Sequence, residues 1–313
     1  MRKNKSRKRR KKRLKKSIKL TIFILIILMI IGVYEGISYY LSLSEADPHG
    51  TIEDAIPAED EEKDDYELST TPKADYWILN VGDGEAIFLR IGSTEALIDT
   101  GSSEYADKMV KTVKSHITGE LDYVIITNGD KGRTGGIEKL YKSVKVKNTI
   151  LGPVGDSKKS AEIKKLIGDN GTIINGKPTI LDLEEGATLS IFKPEVSSDD
   201  IRDRSLMTSF TYGDTKFVSE SDAGVEEEAK LIGLVQNCDV VVLSRYGNNS
   251  SNKVDLGERY AVISTKKKVS DLSDRILEKY SALYTTSKSG TIKFSSDSAI
   301  IETELSYEDV ISQ

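Results

Sequence analysis

The alternation of apolar and polar side chains divides the chain into three parts: one nearly continuous apolar run, a polar stretch without a period, and a long region where two periods interleave. Residues 20–43 form the apolar run, densest over 20–34, with Glu35 as the single charged side chain. As a helix, that length is enough to cross about 30 Å of hydrocarbon. Glu35 reaches an interface if the span tilts or shifts, and Tyr34, Tyr39 and Tyr40 suit an outer aromatic belt. No small-x-small cleavage site follows cleanly and the preceding basic segment is long, which favours an uncleaved anchor over a signal peptide. Over 44–75 the period disappears. From residue 76 onward, period-2 runs at 76–81, 86–91 and 95–98 read as strands joined by glycine turns. A helix over 103–117, an apolar strand over 121–127, a helical segment after Gly135, a strand over 149–154 and a helix over 157–167 follow. Strands at 179–183, 188–192, 205–212 and 216–219 lead to a helix at 225–236. Strands at 239–244 and 260–264, a helix at 271–280, and strands at 282–285 and 291–294 close the pattern. Hairpins mixed with β-α units predict an α/β (α+β) sandwich, two mixed sheets with helices outside.

Charge changes the picture because it is segregated. The first 19 residues hold 13 Lys or Arg and no acid, residues 44–75 hold 12 acids against Lys63 and Lys73, and residues 76–313 hold 30 bases and 37 acids. The positive-inside rule places 1–19 in the cytoplasm as a basic tail that also attracts anionic lipid headgroups, and everything after residue 43 outside. The predicted organisation is a tail (1–19), a transmembrane anchor (20–43), an acidic disordered linker (44–75) and an extracellular domain (76–313) on a single-pass cell-membrane protein. The outer domain's net charge of -7 speaks against nucleic acid as its partner, although it leaves room for a local basic patch. Cys238, the only cysteine, opens an apolar run and reads as a buried core thiol.

Four landmarks then occur in order. Asn80 to Ile87 spell N-V-G-D-G-E-A-I, and Leu97 to Gly101 spell L-I-D-T-G. Tyr123 to Thr127 form a strand sequence that runs into Gly135-Gly136, and residues 205–222 read as a hairpin ending on Asp222. Residues 240–247, 260–264 and 290–292 complete the series. Together they resemble the metallo-β-lactamase superfamily, and within it the C-terminal domain of the competence protein ComEC and its free-standing relatives. The resemblance spans roughly 76–298 and implies a four-layer αββα sandwich. It also implies a cleft in which histidines and carboxylates hold metals that activate water.

The resemblance also implies that most of those ligands are missing. Asn128 stands at the first histidine, Asp130 at a position that is His or Asp, Gly132 at an aspartate and Arg133 at the last histidine of the main motif. Asp222 keeps the bridging aspartate, while Arg245 and Tyr246 occupy two further histidine positions. His116, the domain's only histidine, matches no ligand, and His49 lies in the linker. A nitrogen-rich zinc site is therefore not expected. An oxygen-only Mn²⁺ or Mg²⁺ site from Asn128, Asp130 and Asp222 is the alternative, opposed by two permanent cations in the same cleft. The degenerate cleft is expected to comprise Asp99, Asn128, Asp130, Lys131, Arg133, Asp222, Arg245 and Tyr246. In it Arg133 and Arg245 replace the metal charge and pair with Asp130 and Asp222, and Asp99 and Gly101 shape the floor. An anion-binding cleft built on the arginines and Lys131 is the second expectation.

Other chemistries fail on inventory. Neither histidine is placed to serve a serine or cysteine nucleophile, Gly129 to Gly136 contains no G-K-[S/T], and no pair of acids is singled out for glycoside chemistry. The sequence thus predicts a non-catalytic binding or scaffold module at the cell surface, without a cofactor, meeting a surface protein or an anionic ligand. The alternative is a residual Mn²⁺- or Mg²⁺-dependent phosphodiesterase acting on extracellular nucleic acid. The topology has a direct check. Protease added to intact cells should release a fragment containing the outer domain and leave the basic tail protected; tail cleavage without lysis would reverse the orientation.

Overall fold

Most of the predicted strands are present, and they pair into two sheets. The computed structural model of the protein describes residues 71–174, 178–195, 198–224, 226, 236–243, 245, 259–268, 272 and 282–306. The first sheet contains β1 (Ala74–Ile78), β2 (Ile87–Ile91), β3 (Thr94–Ile98), β4 (Leu121–Ile126), β5 (Val146–Leu151), β6 (Gly171–Ile173), β14 (Thr291–Ser296) and β15 (Ile301–Ser306), in the order β15-β14-β1-β2-β3-β4-β5-β6. The second contains β7 (Thr179–Asp182), β8 (Thr188–Phe192), β9 (Met207–Tyr212), β10 (Thr215–Ser219), β11 (Val240–Val242), β12 (Tyr260–Ile263) and β13 (Leu283–Thr285), in the order β13-β12-β11-β10-β9-β8-β7. Both are mixed: β3 to β6 and β10 to β13 run parallel, and the other pairs are antiparallel.

Side-chain alternation explains why the sheets stack. In β1, Ala74, Tyr76 and Ile78 point into a core shared with Leu189, Phe210, Phe217 and Val242 of the second sheet. Trp77 and Leu79 point the other way, joining Phe88, Leu97, Val124 and Ile126 under the helices. Those helices are α1 (Ala106–His116), α3 (Ile137–Ser143) and α4 (Lys158–Ile167); the single turn α2 (Lys131–Thr134) precedes α3, and α5 (Thr286–Ser289) is a later single turn. Met109, Val110 and Val113 of α1 and Ile163 of α4 face the same cluster, as a 3.6-residue period requires. The second sheet also buries its far face, where Val218, Val241, Leu243, Ala261 and Cys238 meet.

Three of the four expected layers are therefore described. The fourth rests on helices expected at 225–236 and 271–280, which lie almost wholly outside the described residues, as do the basic tail, the anchor, most of the acidic linker and Tyr246. Among the described residues no helix is long and apolar enough to cross a membrane. Two local differences from the sequence have simple causes. β5 spans Val146–Leu151 rather than 149–154, because backbone pairing with β4 begins at Val146 opposite Leu121 and Pro153, lacking an N–H, follows its end. β6 and β15 were not foreseen: both are edge strands, β6 exposed throughout and β15 burying only Ile301.

The inter-sheet core centres on an aromatic ladder, with Phe217 5.0 Å from Tyr76 and 6.3 Å from Phe294 between ring centroids. Phe217→Ala should lower unfolding stability by about 3–5 kcal/mol in urea titrations, the usual cost of deleting a buried ring. A loss below about 1 kcal/mol would show that the sheets are held chiefly elsewhere.

Candidate functional site

The site forms where loops leaving both sheets meet. The β3 to β4 pairing brings Asp99, at the end of β3, beside Thr127, which follows β4. Asp99 has φ +60 and is fully buried; its carboxylate accepts from Thr127 N at 2.8 Å and Thr127 Oγ1 at 2.6 Å. The glycines at this end are fixed by space. A Cβ on Gly101, whose φ is +66, would lie 2.7 Å from Val81 Cβ, and one on Gly135 would lie 2.2 Å from Ser103 N. Gly135 N donates to Gly101 O and Thr100 N to Arg133 O, so the D-T-G loop and the segment after β4 are sewn together by backbone.

That stitching aims Arg133 into the seam. Its Nε and Nη2 donate to Asp222 Oδ2 and Oδ1 at 3.0 and 2.9 Å, a bidentate pair joining the first sheet's loops to the turn after β10. Nη1 lies 3.0 Å from Glu85 Oε2, an ion pair whose angle falls short of a hydrogen bond, and 3.8 Å from Asp99 Oδ2. Burial alone would lower the Arg133 pKa, but the carboxylates around it outweigh that and raise it well above the ordinary value. Burial also pushes Asp222 up, yet the Arg133 charge and hydrogen bonds, with help from Asn128, hold it down to about 2. Asp99 goes the other way, because burial raises it well above the usual carboxylate range against the pull of Arg133.

Hydroxyl and amide groups complete the seam. Asn128 Nδ2 donates to Asp222 Oδ2 at 2.9 Å and to Ser205 Oγ at 2.6 Å, Ser219 Oγ donates to Glu85 Oε1 at 2.6 Å, and the Thr127 and Ser221 hydroxyls are 2.6 Å apart. The space left beside Arg133, Asp222 and Ser264 is about 20 Å³, room for a single water.

Several expected site residues converge, with a different pairing. Asp130 does not meet a guanidinium; it caps α2, accepting from Gly132 N at 2.8 Å, because the acid that opens that turn is better placed for its free N–H groups. Arg245 does not meet the Asp222 carboxylate. Its Nε donates to the Asp222 backbone carbonyl at 2.9 Å and its Nη2 pairs with Asp203. Both guanidiniums are thus engaged by acids, and Lys131 is exposed at the rim. Glu85 and Asp203 were missed as ion-pair partners. Glu85 left one sequence signal, an acid followed directly by the strand-like A-I-F-L, since a buried Glu must be paired. His116 sits apart on α1, its ring 5.0 Å from that of Trp77.

The residues do not fit the metal that the resemblance implies. A cation already sits between Glu85, Asp99 and Asp222, and among the described residues no histidine or cysteine joins them in a metal-binding group. Among the described residues no group of three or more His, Cys, Asp or Glu side chains is arranged to hold a metal.

No protein-family pattern matches the chain, and no curated protein matches it by sequence. Solved structures do. The metallo-β-lactamase fold protein YhfI from Bacillus subtilis is 14% identical over 68% of this chain and 96% of its own, with a TM-score of 0.47. A diphosphatase from the PhnP family is 9% identical over 71% of this chain and 98% of its own, at 0.45. The short form of human tRNase Z is 13% identical over 68% and 95%, at 0.44. All three likenesses are to structures at TM-scores below 0.5.

Asp222 gives a test with a defined sign. Its folded pKa is depressed, so its contribution is present above the unfolded value and is lost as pH falls through the folded one. Asp222→Ala should cost about 3–5 kcal/mol near neutral pH by stranding a buried guanidinium. The gap between mutant and wild type should narrow, without closing, as pH falls from about 4 to about 2. A pH-independent gap in urea unfolding would exclude the ion pair as its source.

Proposed function

We propose that the described domain is a non-catalytic derivative of a metallo-β-lactamase fold, held at the cell surface by the 20–43 anchor, that acts as a binding or scaffold module. One observation carries this: the Arg133 guanidinium lies among Glu85, Asp99 and Asp222, where the motif residues meet. A hydrolytic site needs room for substrate and an activated water, and the pocket lined by these described side chains holds about 20 Å³. Support for the ancestry comes from the sequence landmarks. Asp99, Asn128, Arg133 and Asp222 belong to three separate motifs, and they meet through contacts of 2.9 to 3.8 Å.

Placement outside the membrane rests on the 13 basic residues of 1–19 and the acidic run before β1. The partner is a surface protein or an anionic ligand met outside the closed cleft, because the arginines that would have held an anion within it are already neutralised by Asp222 and Asp203. ComEC-like phosphodiester hydrolysis is the competing activity, and the same geometry opposes it.

The test is metal content. Purified protein analysed by elemental mass spectrometry should contain far less than one Mn or Zn per chain, and neither ion should shift its melting temperature. Single-stranded DNA with Mn²⁺ should stay intact. Stoichiometric metal, or DNA turnover abolished in the Asp130→Ala, Asp222→Ala double mutant, would replace this function with that of a hydrolase.

A further inference from the structure

The acids around Arg133 define a hole of a particular size and shape. Asp222 presents two oxygens side by side, at 3.0 Å from Nε and 2.9 Å from Nη2, which matches the fork of a planar guanidinium. Glu85 stands 3.0 Å from the remaining nitrogen and Asp99 3.8 Å from it. These oxygens contact the outer nitrogens, so they ring the centre of the group well beyond the roughly 2.0–2.6 Å at which a bare divalent ion holds oxygen ligands. The donors are fixed from elsewhere. Ser219 holds Glu85, Thr127 holds Asp99 and Asn128 holds Asp222, so the ring does not depend on Arg133 alone for its shape. Three acids, with side chains at most 12% exposed, come from both sheets' loops, and among the described residues Arg133 is the one cation paired with their carboxylates.

We propose that this cluster is a cation-binding site of guanidinium class, closed by the chain's own Arg133. The fold requires a planar, forked monocation at that place, and neither a divalent metal nor an apolar side chain of equal length substitutes for it. The proposal rests on the site being metal-free in the native protein. It goes further in naming what the site does bind: with the arginine side chain removed, free guanidinium compounds are its ligands.

The experiment uses the full-length chain with Arg133→Ala, Arg133→Met and the wild type, melted in low-millimolar guanidinium chloride or in sodium chloride of equal ionic strength, and separately with Mn²⁺. Guanidinium should raise the midpoint of Arg133→Ala by about 3 °C, the shift produced by one site filled at roughly ten times its dissociation constant. Wild type and Arg133→Met should show only the slight general loss that the denaturant causes. If Arg133→Ala is recovered only unfolded, its refolding yield in guanidinium against sodium chloride replaces the midpoint, and a higher yield is expected in guanidinium. Equal behaviour of Arg133→Ala in both salts would overturn the proposal, as would wild-type stability in Arg133→Met or rescue of Arg133→Ala by Mn²⁺ alone. Stabilisation of the wild type by Mn²⁺ would instead overturn the metal-free reading beneath it.

Discussion

A guanidinium in a dry seam between two sheets is tolerable only if acids surround it, and the conformation of this end of the molecule follows from that requirement. Arg133 reaches Asp222 because Thr100 and Gly135 tie its backbone to the D-T-G loop. Glu85 reaches Arg133 because its own N–H donates to Gly132 O while its carbonyl accepts from Gly101 N. The loops after β1, β3, β4 and β10 are each fixed by a contact that ends on this cluster. Burying the charges costs several kcal/mol per ion, so the cluster supplies little net stability and mainly specifies which loops meet.

Sheet alternation made much of the fold legible. Runs such as A-D-Y-W-I and I-F-L-R-I carry their inward and outward faces in the letters, and the structure places Tyr76 and Trp77 on opposite sides accordingly. The strands that were not foreseen are those where alternation buys no burial: β6 has no buried residue and β15 has one. That Asp99, Asn128, Arg133 and Asp222 lie close together was legible because motifs fix positions along the chain. Pairing was not. Whether Arg133 turns to Asp130 or Asp222 is decided by the orientation of one helical turn, and the free N–H groups at its start claim Asp130. Arg245, at φ +44, pairs with Asp203, an acid that no local sequence pattern singles out.

The sheets and the side chains at their loop ends are separate matters. Two mixed sheets with helices on the first are a scaffold that hosts many chemistries, and what a member does is set by the side chains at the loop ends. In this chain those ends are filled with mutually satisfied hydroxyls, amides and ion pairs: Thr127 with Ser221, Asn128 with Ser205, Ser219 with Glu85. These contacts lie in the interior of the described domain and contribute to holding the two sheets together.

The bidentate contact has a further consequence for heredity. Placing a neutral side chain at position 133 would strand the Asp222 and Glu85 carboxylates, while changing Asp222 first would strand the arginine. Each step alone weakens a domain whose total margin is typically only about 5–15 kcal/mol, and their effects are coupled rather than additive. The arrangement therefore works as a latch on sequence change: neither side of the pair can readily be exchanged one codon at a time.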